Sequence, residues 1–326
     1  MTAPTIHEVA ALAVQARARI RPHIYETPML PARTVGKTTN STVLFKAENF
    51  QLTGSFKLRG ATAKLSTAAG NERLITASSG NHGIGSAHAA RALNRDVTVV
   101  LPETVSEAKL AKIRSYGVQV ILHGAEPGLS EQHAQSLAAS GEYTYVSPYN
   151  DIDIVSGQAT IGLEILEQCA DAETLNVFVA MGGGGLISGI GSVIKAFRPS
   201  AKVFGISATN SMALAASMTA GRVVETEHHA TLAEAVAGGI DDGTITLGLA
   251  TAVIDEVVEC GEAEIAVAMR RMVLEENMFV EGAAALALAG FDKVAERLQG
   301  QTSVIVLCGA NVDPAAVRDI VWEKAG

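Results

Sequence analysis

"NVFVAMGGGGLISGIGSVIKAF", residues 176–197, decides how this chain folds. NVFVAM reads as a strand buried on both faces. Gly182, Gly183, Gly184 and Gly185 follow, and then an apolar stretch that reads as a helix. A strand, a tight turn and a helix are the front half of a parallel crossover unit, so the sheet around them is expected to be parallel. The same alternation runs outward in both directions. "VLFKAENF" (43–50), "RLITAS" (73–78), "DVTVVLP" (96–102), "VQVILHG" (118–124) and "YTYVSP" (143–148) read as earlier strands. "KVFGIS" (202–207) and "SVIVLCG" (303–309) read as later ones. Amphipathic stretches separate them, such as "SEAKLAKIRSYG" (106–117), with Thr104-x-x-Glu107 as a capping box and Gly117 as a stop. A first helix opens at the capping box Thr5-x-x-Glu8, with Ile6, Val9, Ala13 and Ile20 near one face. The fold class is therefore α/β, parallel sheets flanked by helices. Pro148, in "SPYND", interrupts the pattern and marks a domain boundary.

The chain's 326 residues are enough for two domains, and 48% hydrophobic against 18% charged residues supports a substantial core. A net charge of −9 without a basic run argues against nucleic acid or an anionic membrane as partner. Cys169, Cys260 and Cys308 are far apart and form no C-x-x-C. That excludes a disulfide framework, makes a structural zinc site a poor reading, and fits a reducing cytoplasm. No apolar stretch reaches membrane-spanning length, and the start of the chain, with Glu8 and no basic cluster, does not read as a secretion signal.

Three stretches carry chemistry. The four glycines let backbone amides turn toward a ligand, and the helix they open adds free N–H groups and a positive dipole end, so a phosphate fits there. A tight turn alone would explain them at a high cost in chain entropy. The dinucleotide fingerprint fails, because Gly183 and Gly185 fit but Ser188 holds the last position, and Ser207 stands where an acid would grip a ribose. A Walker A loop fails for want of a lysine after the glycines. A compact phosphate monoester is the reading that remains. The second stretch is "SSGNHG" (78–83), at the carboxyl end of a strand, where open parallel sheets bind ligands. Taken alone, Ser79 or Asn81 is a helix cap and His82 an ordinary histidine. The third is "TGSFKLRG" (53–60), which sets Lys57 at a strand-to-helix turn beside Phe56. Most lysines are solvated helix residues. Together, however, phosphate cradle, polar loop and turn lysine suggest pyridoxal 5'-phosphate held covalently through a lysine amine whose pKa is lowered.

"KAENFQLTGSFKLRGA" (46–61), "SSGNHG", "GQATIGLE" (157–164), "GGGGLISG" (182–189) and "LCGAN" (307–311) stand in the order and spacing of the fold-type II pyridoxal-phosphate enzymes. More narrowly, the chain resembles the threonine/serine dehydratase and serine racemase group, including the hydroxyectoine-utilisation dehydratases, over nearly its whole length. The resemblance implies the two-domain, tryptophan synthase β-like architecture, with residues 50–147 as the small domain and 1–49 plus 148–326 as the large cofactor-binding one. It implies that Lys57 carries the cofactor and that Asn81 bonds its ring hydroxyl. Gly182, Gly183, Gly184, Gly185 and Leu186 would hold its phosphate, Phe56 would lie against one ring face, and Cys308 would contact the ring nitrogen. Ser78, Ser79, Gly80, Asn81 and His82 would bind the substrate carboxylate.

The chain departs from the group's pattern in several places. Residues 207–213, "SATNSMA", lack the carboxylate by which some relatives hold a divalent cation, so no metal is expected. Ala159 replaces a glycine in "GQAT", "PYND" puts Asn150 near the substrate side, and no regulatory domain is read after "LCGAN". The implied activity is a lyase reaction: β-elimination of water from a β-hydroxy-α-amino acid such as L-threonine or L-serine, giving a 2-oxo acid and ammonia. Lys57 would act as general base and Ser79 would face the opposite side of the substrate. An amino-acid racemase using the same site, and a protein that holds the cofactor without turnover, are the alternatives. The expected partner is a small amino-acid substrate, and the expected assembly a homodimer or homotetramer.

Overall fold

The computed structural model describes residues 3–312, 317, 318 and 320. Its strands are β1 (Met29–Pro31), β2 (Thr42–Lys46), β3 (Arg73–Ala77), β4 (Asp96–Leu101), β5 (Gln119–Leu122), β6 (Thr144–Tyr145), β7 (Asn176–Ala180), β8 (Lys202–Ala208), β9 (Glu256–Cys260) and β10 (Thr302–Val306). The α-helices are α1 (Ile6–Ile20), α2 (Lys57–Thr67), α3 (Asn81–Leu93), α4 (Glu107–Arg114), α5 (Pro127–Ala139), α6 (Ile152–Gln168), α7 (Gly185–Phe197), α8 (Ala213–Ala220), α9 (Ile245–Val253), α10 (Glu262–Leu274) and α11 (Gly282–Val294). They form two sheets. The larger runs β1-β2-β10-β7-β8-β9 and the smaller β5-β4-β3-β6. Every pairing is parallel except β1 with β2, where Met29 faces Lys46.

The pattern in the sequence has a direct physical origin. All five residues of β7 are buried, as a strand covered on both faces requires. Helix α7 is buried from Gly185 through Ile194, so even the face that carries Ser188 and Ser192 meets protein. Asp151 caps α6, its carboxylate accepting from the amides of Asp153 and Ile154. The Thr5–Glu8 capping box at α1 forms as expected.

Some boundaries differ from the sequence reading. Helix α4 begins at Glu107 with Ser106 as its cap, while the Thr104 hydroxyl donates instead to the Ala125 carbonyl. Ser106 is adjacent to the helix, so it satisfies the free amides without the Thr104 frame. "VLFKAENF" is a strand only to Lys46, because Glu48–Phe50 turns as a 3₁₀ segment. The short edge strand β1 and strand β9 had no distinct apolar run to announce them.

The largest apolar cluster lies around β7, β8 and β10 under α7, α10 and α11. A second cluster fills the smaller sheet between α2, α3 and α4. Helix α1 serves both sides. Val9, Ala10 and Ala13 pack with α6, whereas Ala16 and Ile20 belong to the cluster of the smaller sheet. Where α2 meets the larger sheet, the joint is ionic. Arg59 bonds Glu48 at 2.7 Å and Glu164 at 2.6 Å, and Lys46 bonds Glu164 at 2.5 Å, with both cations fully buried. Each charge is paired, which is what makes such burial tolerable. No described helix is long and apolar enough to cross a membrane.

Candidate active site

A strap holds Lys57 in position. Ser55 and Gly309 form an antiparallel bridge, the Phe56 amide donates to the Cys308 carbonyl at 3.0 Å, and the Ala310 amide donates to the Gly54 carbonyl at 2.9 Å. The residues just before α2 are thereby tied to the end of β10. Gly54 makes the turn with φ +77°. Lys57 and Cys308 consequently line one cavity of about 430 Å³ with Phe56, Gly182 to Gly185 and Leu186.

The Lys57 amine donates to the Pro148 carbonyl at 2.8 Å and lies 5.3 Å from the Phe56 ring centroid. Burial pulls its pKa down to about 8, against the opposing pull of acidic neighbours including Glu281. The neutral amine, the form that attacks a carbonyl carbon or takes a proton, is accordingly far more populated near neutral pH than in an ordinary lysine. Cys308 is pushed the other way: burial, reinforced by Glu281, holds its thiol well above the ordinary range and so uncharged.

The glycine turn is a cradle a side chain would fill. A Cβ on Gly183 would lie 2.5 Å from the Tyr149 ring, and one on Gly182 would lie 2.8 Å from the Val236 backbone. Gly184 has φ +87°, a left-handed conformation, and α7 begins at the next residue. The first amides of α7 therefore face the cavity from a positive helix end. An enclosed amine at one side and a glycine-lined helix start at the other fit pyridoxal phosphate, which presents an aldehyde and a phosphate. An uncharged thiol in the same cavity suits an unprotonated ring nitrogen.

Ser78 to His82 are not among the residues lining the cavity. Asn81 opens α3, and its amide donates to both Glu281 oxygens at 2.9 and 3.0 Å while its oxygen accepts from Asn311 at 2.6 Å. For Asn81 to bond a ring hydroxyl, this network must yield a donor. His82 is buried and its Nε2 meets the Val146 carbonyl at 3.1 Å. Burial, with Lys57 adding to it, lowers its pKa to about 3, so the ring is neutral. What His82 has to offer a carboxylate is its backbone amide rather than its side chain. Ser78 accepts from the Gly80 amide at 3.2 Å, and Ser79 is partly exposed.

Sequence reasoning passed over several residues that the fold brings in. Glu281, at the start of α11, also accepts from the Asn311 amide at 3.1 Å. Burial raises its pKa, opposed by the Asn81 and Asn311 hydrogen bonds. Tyr149, Glu131 and Asp241 line the cavity itself. Asn311 and Tyr149 lay inside motifs already singled out, whereas Glu281, Glu131 and Asp241 are isolated acids with no local signal. In the segment 207–213, Ser211 bonds His228 at 2.9 Å and receives the Gly238 amide at 3.1 Å, so its polar groups serve the loop. Among the described residues no group of three or more His, Cys, Asp or Glu gathers as metal ligands do.

A model of the family described as "Pyridoxal-phosphate dependent enzyme" matches residues 20–309. The catabolic L-threonine dehydratase TdcB of Staphylococcus aureus (strain N315) is 35% identical over 332 residues, covering 98% of this chain and 94% of that protein. Among solved structures, the processed form of threonine deaminase isoform 2 from Solanum lycopersicum superposes with a TM-score of 0.91 at 28% identity, covering 98% of this chain and 89% of that one. Maize serine racemase does so with a TM-score of 0.86 at 26% identity, covering 97% and 96%.

Proposed function

The chain belongs to the pyridoxal-phosphate dependent enzymes, and from that premise we propose that it is a dehydratase that removes water and then ammonia from a β-hydroxy-α-amino acid such as L-threonine or L-serine. The observation that carries the reading is the enclosed Lys57 amine, its pKa near 8, sharing a cavity with a glycine cradle at a helix start. Dehydratases among its relatives and structural neighbours support the reaction type.

When bound, the cofactor supplies a ring that spreads the charge left on the α-carbon. The protein's part is positional and acid–base. Gly182 to Gly185 and Leu186 hold the phosphate through backbone amides, and Phe56 and Cys308 fix the plane and edge of the ring. Lys57 would take the α-proton as general base once its amine is free. The amides opening α3, from Ser78 to His82, receive the substrate carboxylate when the small domain closes on it. The β-hydroxyl would take a proton and leave as water, the α-proton lost and the proton gained balancing, and the enamine released would be hydrolysed to 2-oxo acid and ammonia.

The reading takes residues 50–147 as a small domain moving against 1–49 and 148–326. It places the enzyme in the cytoplasm as a homodimer or homotetramer. A racemase is the second reading, favoured by one observation: the Ser79 hydroxyl engages no protein partner among the described residues and is free to serve the second face of the substrate. A substrate panel followed by both 2-oxo acid release and product chirality separates the two. A dehydratase releases oxo acid from L-threonine or L-serine, and Ser79→Ala abolishes racemisation while elimination survives. Racemisation outrunning elimination for every β-hydroxy amino acid tried would favour the second reading.

A further inference from the structure

Behind the cavity, a chain of hydrogen bonds between polar side chains crosses from the elements beside the smaller sheet to those of the larger. Lys112, exposed on α4, donates to Asn311 Oδ1 at 2.9 Å. Asn311 Nδ2 donates to Asn81 Oδ1 at 2.6 Å and to the Thr53 carbonyl at 2.9 Å. Asn81 Nδ2 ends the chain on the Glu281 carboxylate. Glu281 in turn lies near enough to Lys57 and Cys308, which line the cavity, to act on the charge of both. The direction of the chain is forced. Which end of an amide is nitrogen follows from its partners. A lysine ammonium can only donate and a backbone carbonyl can only accept, so Lys112 and Thr53 demand the same orientation of Asn311. Asn311 then has an N–H to offer Asn81, which turns the Asn81 carbonyl toward Asn311 and its nitrogen toward Glu281. Thr53, Asn81 and Glu281 are buried, where a reversed amide would strand polar atoms without partners.

We propose that Asn311 is a positioning residue of the cofactor site: it fixes Asn81 so that the amide nitrogen, and not the carbonyl, is presented to the oxygen on the cofactor's ring. Asn81 Nδ2 carries two hydrogens. One, shared between the two Glu281 oxygens, leaves the other for the ring. A ring oxygen with negative charge is stabilised by an N–H and repelled by a carbonyl, so this orientation decides the sign of the interaction. The proposal depends on the cofactor and on the expected contact from Asn81. It does not depend on the dehydratase reading, because no substrate takes part in it.

The test titrates the cofactor-free protein with pyridoxal phosphate and follows how the absorption of the bound cofactor changes with pH. Asn311→Ala and Asn311→Asp should each weaken binding by about tenfold, the second because Asp keeps the size of Asn but has no N–H to give Asn81. The pH at which the bound cofactor's band changes should move upward by about half a unit or more, as for an acid whose anion loses a donor. Asn81→Ala should do the same, and adding either Asn311 substitution to it should weaken binding by less than about twofold further. Urea midpoints of the cofactor-free proteins show which variants fold, and Asn311→Asp keeps the test open if Asn311→Ala does not. Wild-type affinity and an unmoved band in a folded Asn311→Asp overturn the proposal. A loss of the same size with Asn81 present and with Asn81 removed overturns it too, because Asn311 would then act through something else. Unaltered binding by Asn81→Ala takes away the contact on which the proposal stands and also overturns it.

Discussion

Lys57 is stored in an environment that suits its neutral form, and this has a thermodynamic consequence. In the unfolded chain the amine titrates near the ordinary lysine value of 10.5, and in the fold near 8. Between those values the unfolded chain binds more protons, so stability of the cofactor-free protein rises with pH across that window, and below pH 8 the full penalty is present. Lys57→Met removes the penalty while filling the same space. The variant should be inactive yet more stable than wild type at pH 7.5, by about 1–3 kcal/mol, with the difference shrinking by pH 10. Urea unfolding at the two pH values measures this, and a less stable Lys57→Met would mean that the amine is solvated rather than confined. Cofactor capture by the cofactor-free protein should speed up as pH rises toward 8 and level off above it, as the neutral amine becomes the dominant form.

At the scale of elements, the turn from β7 into α7 depends on what stands opposite it. Gly183→Ala drives a methyl group into the Tyr149 ring, whereas Gly184→Ala forces a left-handed residue to carry a side chain. Both should weaken cofactor retention, and the second should also cost about 1 kcal/mol of stability. Only the first should be rescued by Tyr149→Ala, because relief of a clash depends on the partner and relief of strain does not. Retention after gel filtration, read from cofactor absorbance, distinguishes the two. The joint of Arg59, Glu48, Glu164 and Lys46 makes a separate demand. Burial works to raise the Glu164 pKa, but Arg59 and Lys46 hold it below the usual carboxylate range. Its contribution is therefore present above the unfolded pKa and is lost as pH falls through the lower folded value. Glu164→Gln leaves the buried Lys46 without a carboxylate and Arg59 with Glu48 alone, and should cost about 3–5 kcal/mol, visible as a lowered urea midpoint at pH 7.

For the whole molecule, the cavity takes its lining from both ends of the chain and from beside both sheets: Phe56 and Lys57 from the strap, Glu131 from α5, the glycines after β7, and Cys308 after β10. A ligand that bridges them stabilises all of these segments together. Loading with pyridoxal phosphate should slow amide exchange at Phe56–Lys57, at Gly182–Leu186 and along 235–241 at once, and protection confined to one segment would mean the cofactor sits elsewhere. Because residues 207–213 hold no carboxylate, activity should change by less than about twofold when divalent cations are chelated. A large loss with EDTA, restored by magnesium or calcium, would point to oxygen ligands drawn from elsewhere in the chain.

The sequence by itself determined the parallel α/β alternation, the glycine turn, the turn lysine and the family, because each is written in contiguous residues whose conformational needs are local. Periodicity and glycine placement act over a few residues, so they survive without tertiary context. It missed β9 and the edge strand β1, and it ran β2 on past Lys46 into a segment that turns toward the buried charges. Only the tertiary structure decided the rest. It turned the His82 side chain toward the Val146 carbonyl, bound Asn81 to Glu281 and Asn311, and brought Glu131 and Asp241 to one cavity from 110 positions apart (241 − 131). Isolated acids carry no local pattern. Their meaning comes from the cavity they share, and that cavity exists only once both sheets are packed.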